Sequence, residues 1–167
     1  NGTNWTEVND LNTARYGQGS ARQTASSTII FGGRVSTPAD SALAESWNGT
    51  NWTEENDLST ARNQLGGAGS SNTNAIAFGG NTVTATEEWT GAGAAVGAWS
   101  TGGTLNTARA KFAGSGLQTA ALAFGGEIPP NSATTESYDG SSWTEVNDLN
   151  TARDALAGAG TQTSTLA

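Results

Sequence analysis

The sequence contains no cysteine, no histidine and no methionine. Without cysteine there is no disulfide framework, no thiolate metal site and no cysteine nucleophile, and cysteine usage says nothing of the redox compartment. Without histidine the commonest general base and metal ligand is missing. Without methionine there is no initiator residue, so a processed, truncated or partial chain is expected. Positive charge is scarce: one lysine, Lys111, and six arginines stand against 15 acidic residues, a formal charge of −8. Such a surface repels phosphate backbones and anionic membranes, so neither nucleic acid nor membrane insertion is expected. No apolar run approaches the roughly 18 residues of a membrane span. No basic-then-apolar segment opens the chain, although a leader removed or lying upstream stays open.

What is abundant is glycine, 23 of 167 residues, with asparagine, threonine, serine and alanine; only 13% of residues are charged. A polar, weakly charged chain can be disordered. Against that, six tryptophans and four phenylalanines recur at fixed places. Trp5, Trp52, Trp99 and Trp143 follow at steps of 47, 47 and 44, and Arg15, Arg62, Arg109 and Arg153 close Thr-Ala-Arg at the same steps. Phe-Gly-Gly stands at 31–33, 78–80 and 124–126, and a second aromatic follows each at Trp47, Trp89 and Tyr138. Markers in one order at one period define a tandem repeat.

Each repeat parses into four short strands, a to d from inner to outer. Strand a is rich in Gly and Ala, as in Leu65–Ser70 and Phe112–Leu117. Strand b leads into Phe-Gly-Gly: Ser27–Phe31, Asn74–Phe78 and Ala120–Phe124. Strand c carries Glu-x-aromatic, as in Leu43–Trp47, and strand d the next Trp, as in Asn51–Glu55. Asn48-Gly49 and Asp139-Gly140 separate c from d and are strong hairpin signals, because both tolerate positive φ. Four hairpin-linked strands in about 45 residues is the pattern of a propeller blade. Side-chain size agrees: small residues fill a and b, where radial blades crowd together, and c and d carry the tryptophans.

This pattern resembles the kelch repeat, with its glycine pair, aromatic, Trp and Arg in order. Gly32-Gly33, Trp47, Trp52 and Arg62 fit, as do Gly79-Gly80, Trp89, Trp99 and Arg109, and Gly125-Gly126, Tyr138, Trp143 and Arg153. The resemblance covers essentially the whole chain. It implies an all-β, kelch-type β-propeller of four-stranded antiparallel blades, three complete and one partial. The blades fall at about 16–55, 63–101, 110–146 and, in part, 154–167, with an isolated outer strand at 4–8, in one propeller segment over 1–167. A narrower resemblance is to Thr- and Asn-rich kelch-like arrays of marine bacteria and their phages, some virion- or tail-associated. The ends leave a blade with a, b and d but no c, so further blades of a longer chain, or another copy, are the expected partners.

The arginines are expected to pin neighbouring blades through Glu45, Glu87 and Glu136; the other reading is a ring that binds an anionic group such as a sugar acid. Asp10, Asp57 and Asp148, after Glu7, Glu54 and Glu145, suggest Asx-type turns more than a calcium site. The Gly-x-Gly pairs 67/69, 114/116 and 158/160 suggest close-packed inner strand, since no helix follows to complete a phosphate cradle. Asn1, Asn4, Asn48 and Asn51 open N-x-Thr sequons whose simpler role is the c–d turn. The b–c loops, 34–42, 81–85 and 127–133, vary most and share a face with the d–a loops, so binding is expected there. Arg34, Asp40, Glu127 and Asn131 are the candidate ligand-binding residues. No catalytic residue, metal ligand or cofactor is identified. Three functions compete: a non-enzymatic extracellular or virion-surface module holding a glycan or protein partner, a sugar-acid-processing enzyme, and an intracellular adaptor. Some kelch-like propellers are copper oxidases, but their ligands cannot be assembled without His and Cys.

Overall fold

A computed structural model describes residues 3–36, 38–81, 83–91 and 97–167. Those residues form 14 β-strands, and none is helical. No helix among them is long and apolar enough to cross a membrane.

The strands form three four-stranded antiparallel sheets and one hairpin, called blades 1 to 4 in chain order. Blade 1 holds β1 (Gly19–Thr24), β2 (Ser27–Phe31), β3 (Ala44–Trp47) and β4 (Trp52–Glu55). Blade 2 holds β5 (Gly66–Ser71), β6 (Asn74–Phe78), β7 (Thr86–Thr90) and β8 (Ala98–Thr101). Blade 3 holds β9 (Ala113–Leu117), β10 (Ala120–Phe124), β11 (Thr135–Tyr138) and β12 (Trp143–Val146). Blade 4 is the hairpin β13 (Ala159–Thr161) and β14 (Ser164–Leu166). Within a blade each strand pairs with the next in sequence, so every connection inside a blade is a hairpin. The inner strands β1, β5, β9 and β13 pack side by side, which places the sheets around a common inner edge.

The cores lie between blades. Ala21, Ile29 and Phe31 of blade 1 meet Leu65, Ala75, Ala77 and Trp89 of blade 2. Ile76 and Phe78 of blade 2 meet Phe112, Ala121, Ala123 and Trp143 of blade 3. The Phe31 and Phe78 rings touch the outer tryptophan of the following blade: Phe31 lies edge-on to Trp99 at 5.1 Å, and Phe78 lies tilted to Trp143 at 4.8 Å. Such pairs add about 0.5–1.5 kcal/mol beyond their buried area. Side-chain amides lock the opposite end of the interface. Asn72 donates to Trp47 O at 3.2 Å, Gln118 to Trp89 O at 3.1 Å and Gln162 to Tyr138 O at 2.7 Å.

Residues 4–8 form no strand; they are exposed, and Trp5 lies fully in solvent. The expected isolated outer strand is therefore absent. Its internal counterparts each pair with a strand c of their own blade.

Candidate functional site

The Phe-Gly-Gly corners build the face that carries the variable loops. Gly32 and Gly33 both take positive φ, 64° and 95°, and the later pairs repeat this. A side chain is strained there, so the pair turns the chain sharply out of strand b. The second glycine then donates to the carbonyl of the repeat arginine: Gly33 to Arg62 at 2.9 Å, Gly80 to Arg109 at 3.2 Å and Gly126 to Arg153 at 2.8 Å.

Those arginines straddle two blades. The Arg62 backbone bonds Gly33 and Ser41 of blade 1, while its guanidinium enters blade 2 and pairs with Glu87 at 2.9 Å. It also donates to Ala85 O at 2.8 Å. Arg109 repeats this in blade 3, pairing with Glu136 at 2.9 Å and donating to the carbonyls of Thr134 and Ala123. Arg15 pairs with Glu45 and donates to Leu43 O at 2.6 Å. The carboxylates also accept connector amides: Glu136 takes Asn106 N–H at 2.7 Å and Thr107 N–H at 3.3 Å. Burial pushes the Arg62 and Arg109 guanidinia below their ordinary value, and the facing Glu87 and Glu136 oppose that shift. Nε of each is buried without a hydrogen-bond partner among the described residues. Enclosed in this way, Arg62 and Arg109 hold blade to blade, Arg15 is held within blade 1, and none of the three lines an open ring. Arg153 is exposed, with no ion pair among the described residues.

Two residues past each repeat arginine the backbone turns left-handed, at Gly17, Gln64, Lys111 and Ala155. These residues form a chain of backbone bonds across the blades: Gln64 N–H to Gly17 O at 2.7 Å, Lys111 N–H to Gln64 O at 3.1 Å and Ala155 N–H to Lys111 O at 2.8 Å. The b–c loops stand beside this chain. Single bridges join Tyr16 to Arg34 and Ala110 to Glu127.

The four candidate residues fall into two groups. Arg34 pairs with Asp40 at 2.8 Å within its loop. Asp40 also accepts from Asn63 and Asn81 of the next blade, both at 2.6 Å. Desolvation pushes the Asp40 carboxyl up, but hydrogen bonds from Arg34, Asn81 and Asn63 outweigh it and leave it below its ordinary value. Hydrogen bonding to Asp40 holds Arg34 above its own. In the second group Glu127 pairs with Lys111 and bridges to Asn131, which donates to Asp154 at 3.0 Å. Hydrogen bonding to Glu127 raises the Lys111 ammonium. Asn63, Asn81, Lys111 and Asp154 are thus members of this face that sequence reading missed. The signal was present: they lie one or two residues after Arg62, Gly80, Arg109 and Arg153.

Other expected sites resolve differently. Asp148 makes no local turn; its carboxylate accepts from Thr135 N–H at 3.1 Å, on the adjacent strand c. A carboxylate at the end of strand d faces the start of c, so the cross-strand amide is nearer than its own. Asn48 does serve the c–d turn, accepting from Thr50 and Asn51 N–H, both at 2.9 Å. Asp139 does the same in blade 3 with Ser141 and Ser142. Asn1 lies outside the described residues. No group of three or more acidic residues arranged to hold a metal ion occurs among the described residues.

No protein-family model matches the chain, and no curated protein does. Solved structures do match. One of them, titled "Structure of YjhT", has a TM-score of 0.64 at 14% identity, over 83% of this chain and 47% of that one. The chain therefore spans about half the length of that structure. At that identity the likeness concerns fold alone: the chain is similar to it as an all-β array of four-stranded antiparallel blades.

Proposed function

We propose that the chain is a kelch-type β-propeller segment acting as a non-enzymatic binding module that presents its b–c loops to a glycan or protein partner. One observation carries this reading. The frame is held in blades 1 to 3 by the same buried Arg–Glu pair, while the residue after each glycine pair changes from Arg34 to Asn81 to Glu127 on one face. Variation confined to one face of a rigid scaffold is the pattern of a recognition surface. The titratable groups nearest that face are engaged with one another as neutralised pairs, an arrangement suited to holding loops in shape. Further blades or another copy would complete the array, and repetition would add avidity. An extracellular or virion surface is the setting this reading favours.

The test is binding of the full-length protein to a glycan array and to candidate host surfaces. Arg34→Ala with Glu127→Ala should reduce binding at least tenfold with the blades intact. Unchanged binding would overturn the reading. Metal-independent turnover of a sugar acid would replace it with the enzyme reading.

A further inference from the structure

The c–d turns of blades 1 and 3 are one structure built from two different residues. Asn48 and Asp139 each open the turn, and a glycine at positive φ follows each, 96° at Gly49 and 95° at Gly140. Each side-chain oxygen accepts the amides two and three residues on. Chemically the two differ by one exchange, a carboxamide for a carboxylate. The blade 1 turn lies beside the a–b turn at Ser26, at the opposite end of the strands from the b–c loops, and is independent of them.

Asn48 carries every group that an intramolecular exchange needs. It is exposed, and no other asparagine after residue 2 precedes a glycine. Gly49 has no side chain to shield its nitrogen, and its N–H makes no hydrogen bond among the described residues. The Asn48 carboxamide is held by its oxygen alone. Oδ1 accepts Thr50 N–H and Asn51 N–H, both at 2.9 Å, while Nδ2 donates to nothing among the described residues. An Asx-type turn folds the side chain back over the peptide that follows it. Cγ is thereby held toward the Gly49 nitrogen, and a positioned encounter replaces a chance one. The two amides point at the oxygen on which charge develops when Cγ is attacked, as the donors of an oxyanion hole do.

We infer that Asn48 is a self-modification site, converted to aspartate without an enzyme. The Gly49 nitrogen bonds to Asn48 Cγ and gives up its proton. The bond from Cγ to Nδ2 breaks, and ammonia departs with that proton, leaving a five-membered imide. Water then adds at Cγ, the bond from Cγ to the Gly49 nitrogen breaks, and that nitrogen regains a proton. The peptide is restored and the side chain is a carboxylic acid, which ionises. Opening at the backbone carbonyl instead would route the chain through the side chain as isoaspartate. The Thr50 and Asn51 amides polarise the side-chain carbonyl, so aspartate is the favoured product. Its turn is the one blade 3 already contains, so the blade survives the step. The chain becomes one unit more negative than its −8, and the N-x-Thr sequon at Asn48 is lost.

The test incubates the full chain at mildly alkaline pH, folded and in guanidinium chloride, and follows tryptic peptide 35–62 by mass spectrometry. Chromatography against Asn48→Asp and an isoaspartyl methyltransferase assay separate the two products. The folded chain should convert at position 48 at a rate within tenfold of the unfolded one. Aspartate should exceed isoaspartate at least threefold when folded, and isoaspartate should lead when unfolded. Asp139→Asn installs the same turn in blade 3 and should revert to aspartate at a similar rate. A folded chain that stays intact while the unfolded one converts would overturn the inference. So would isoaspartate as the main folded product, or an inert Asp139→Asn.

Discussion

The molecule contains two kinds of ion pair, and their surroundings give them different work. Arg62–Glu87 and Arg109–Glu136 are enclosed between strands, with side chains almost wholly out of water. Arg34–Asp40 and Lys111–Glu127 lie on the loop face, each side chain one-fifth to two-fifths exposed. A buried pair is a costly way to add stability, since desolvating two charges cancels most of their attraction. What it supplies here is geometry. Arg109 reaches two carbonyls and a carboxylate, and Glu136 in turn holds two connector amides, so one blade is set in register on the next. The exposed pairs shape loops, and only through Asp40 does one of them also reach Asn63 and Asn81 of the next blade. They neutralise and shape loops whose sequence is free to change.

The sharpest way to break this comparison is to remove one buried partner. Arg109→Ala leaves Glu136 charged and enclosed, and should cost about 3–5 kcal/mol in urea unfolding. Arg109→Lys should recover little, because an ammonium on a flexible stem does not reproduce the planar fork. A lysine variant within about 1 kcal/mol of the parent would mean that charge alone suffices. Next in size is Gly67→Ala. Its methyl meets Ser20 and Phe31 at under 3 Å, so overpacking should cost about 1–3 kcal/mol. A neutral result would show that the blades slide apart easily.

On the exposed side the effects shrink. Asp40→Ala strands the buried amide of Asn63 and should cost about 1 kcal/mol. Asp40 sits below its ordinary pKa, so its contribution is complete above the unfolded carboxyl value and fades as the pH falls through the folded one. The difference between parent and Asp40→Ala should therefore close on acidification below about pH 4. Lys111→Ala should leave the unfolding midpoint unchanged within measurement, as an exposed pair does. If Lys111→Ala matched Arg109→Ala, burial would not be the variable that separates the two classes.

The frame was legible in the sequence because its constraints are local and recur. A glycine pair that must turn left-handed, a phenylalanine before it and a tryptophan after the c–d turn mark strands b, c and d within a residue of their observed bounds. The loop network was not legible. Asp40 finds Asn63 and Asn81 across 23 and 41 residues, and only the stacking of blades brings them together. Asp148 was misread for the same reason: the amide it accepts belongs to another strand. Segment 4–8 has the residues of an outer strand but forms none, and propensity alone makes no ladder.

The smallest effect tests the turn that both asparagine and aspartate build. Asn48 and Asp139 accept the same two amides, two and three residues on. Only the aspartate titrates. The amides of Ser142 and Ser141 stabilise its charged form and hold it down at about 2. A depressed carboxyl contributes stability above its unfolded value and loses it as the pH falls, so the window runs from about pH 4 to about pH 2. Carboxyl-carbon NMR should place the Asp139 midpoint at about 2, well below the ordinary aspartate range. Asp139→Asn should leave the blade intact and remove that titration, because the carboxamide oxygen accepts the same two bonds. An Asp139 midpoint in the ordinary range would mean that the amides do not favour charge, and that the two turns match through backbone shape alone.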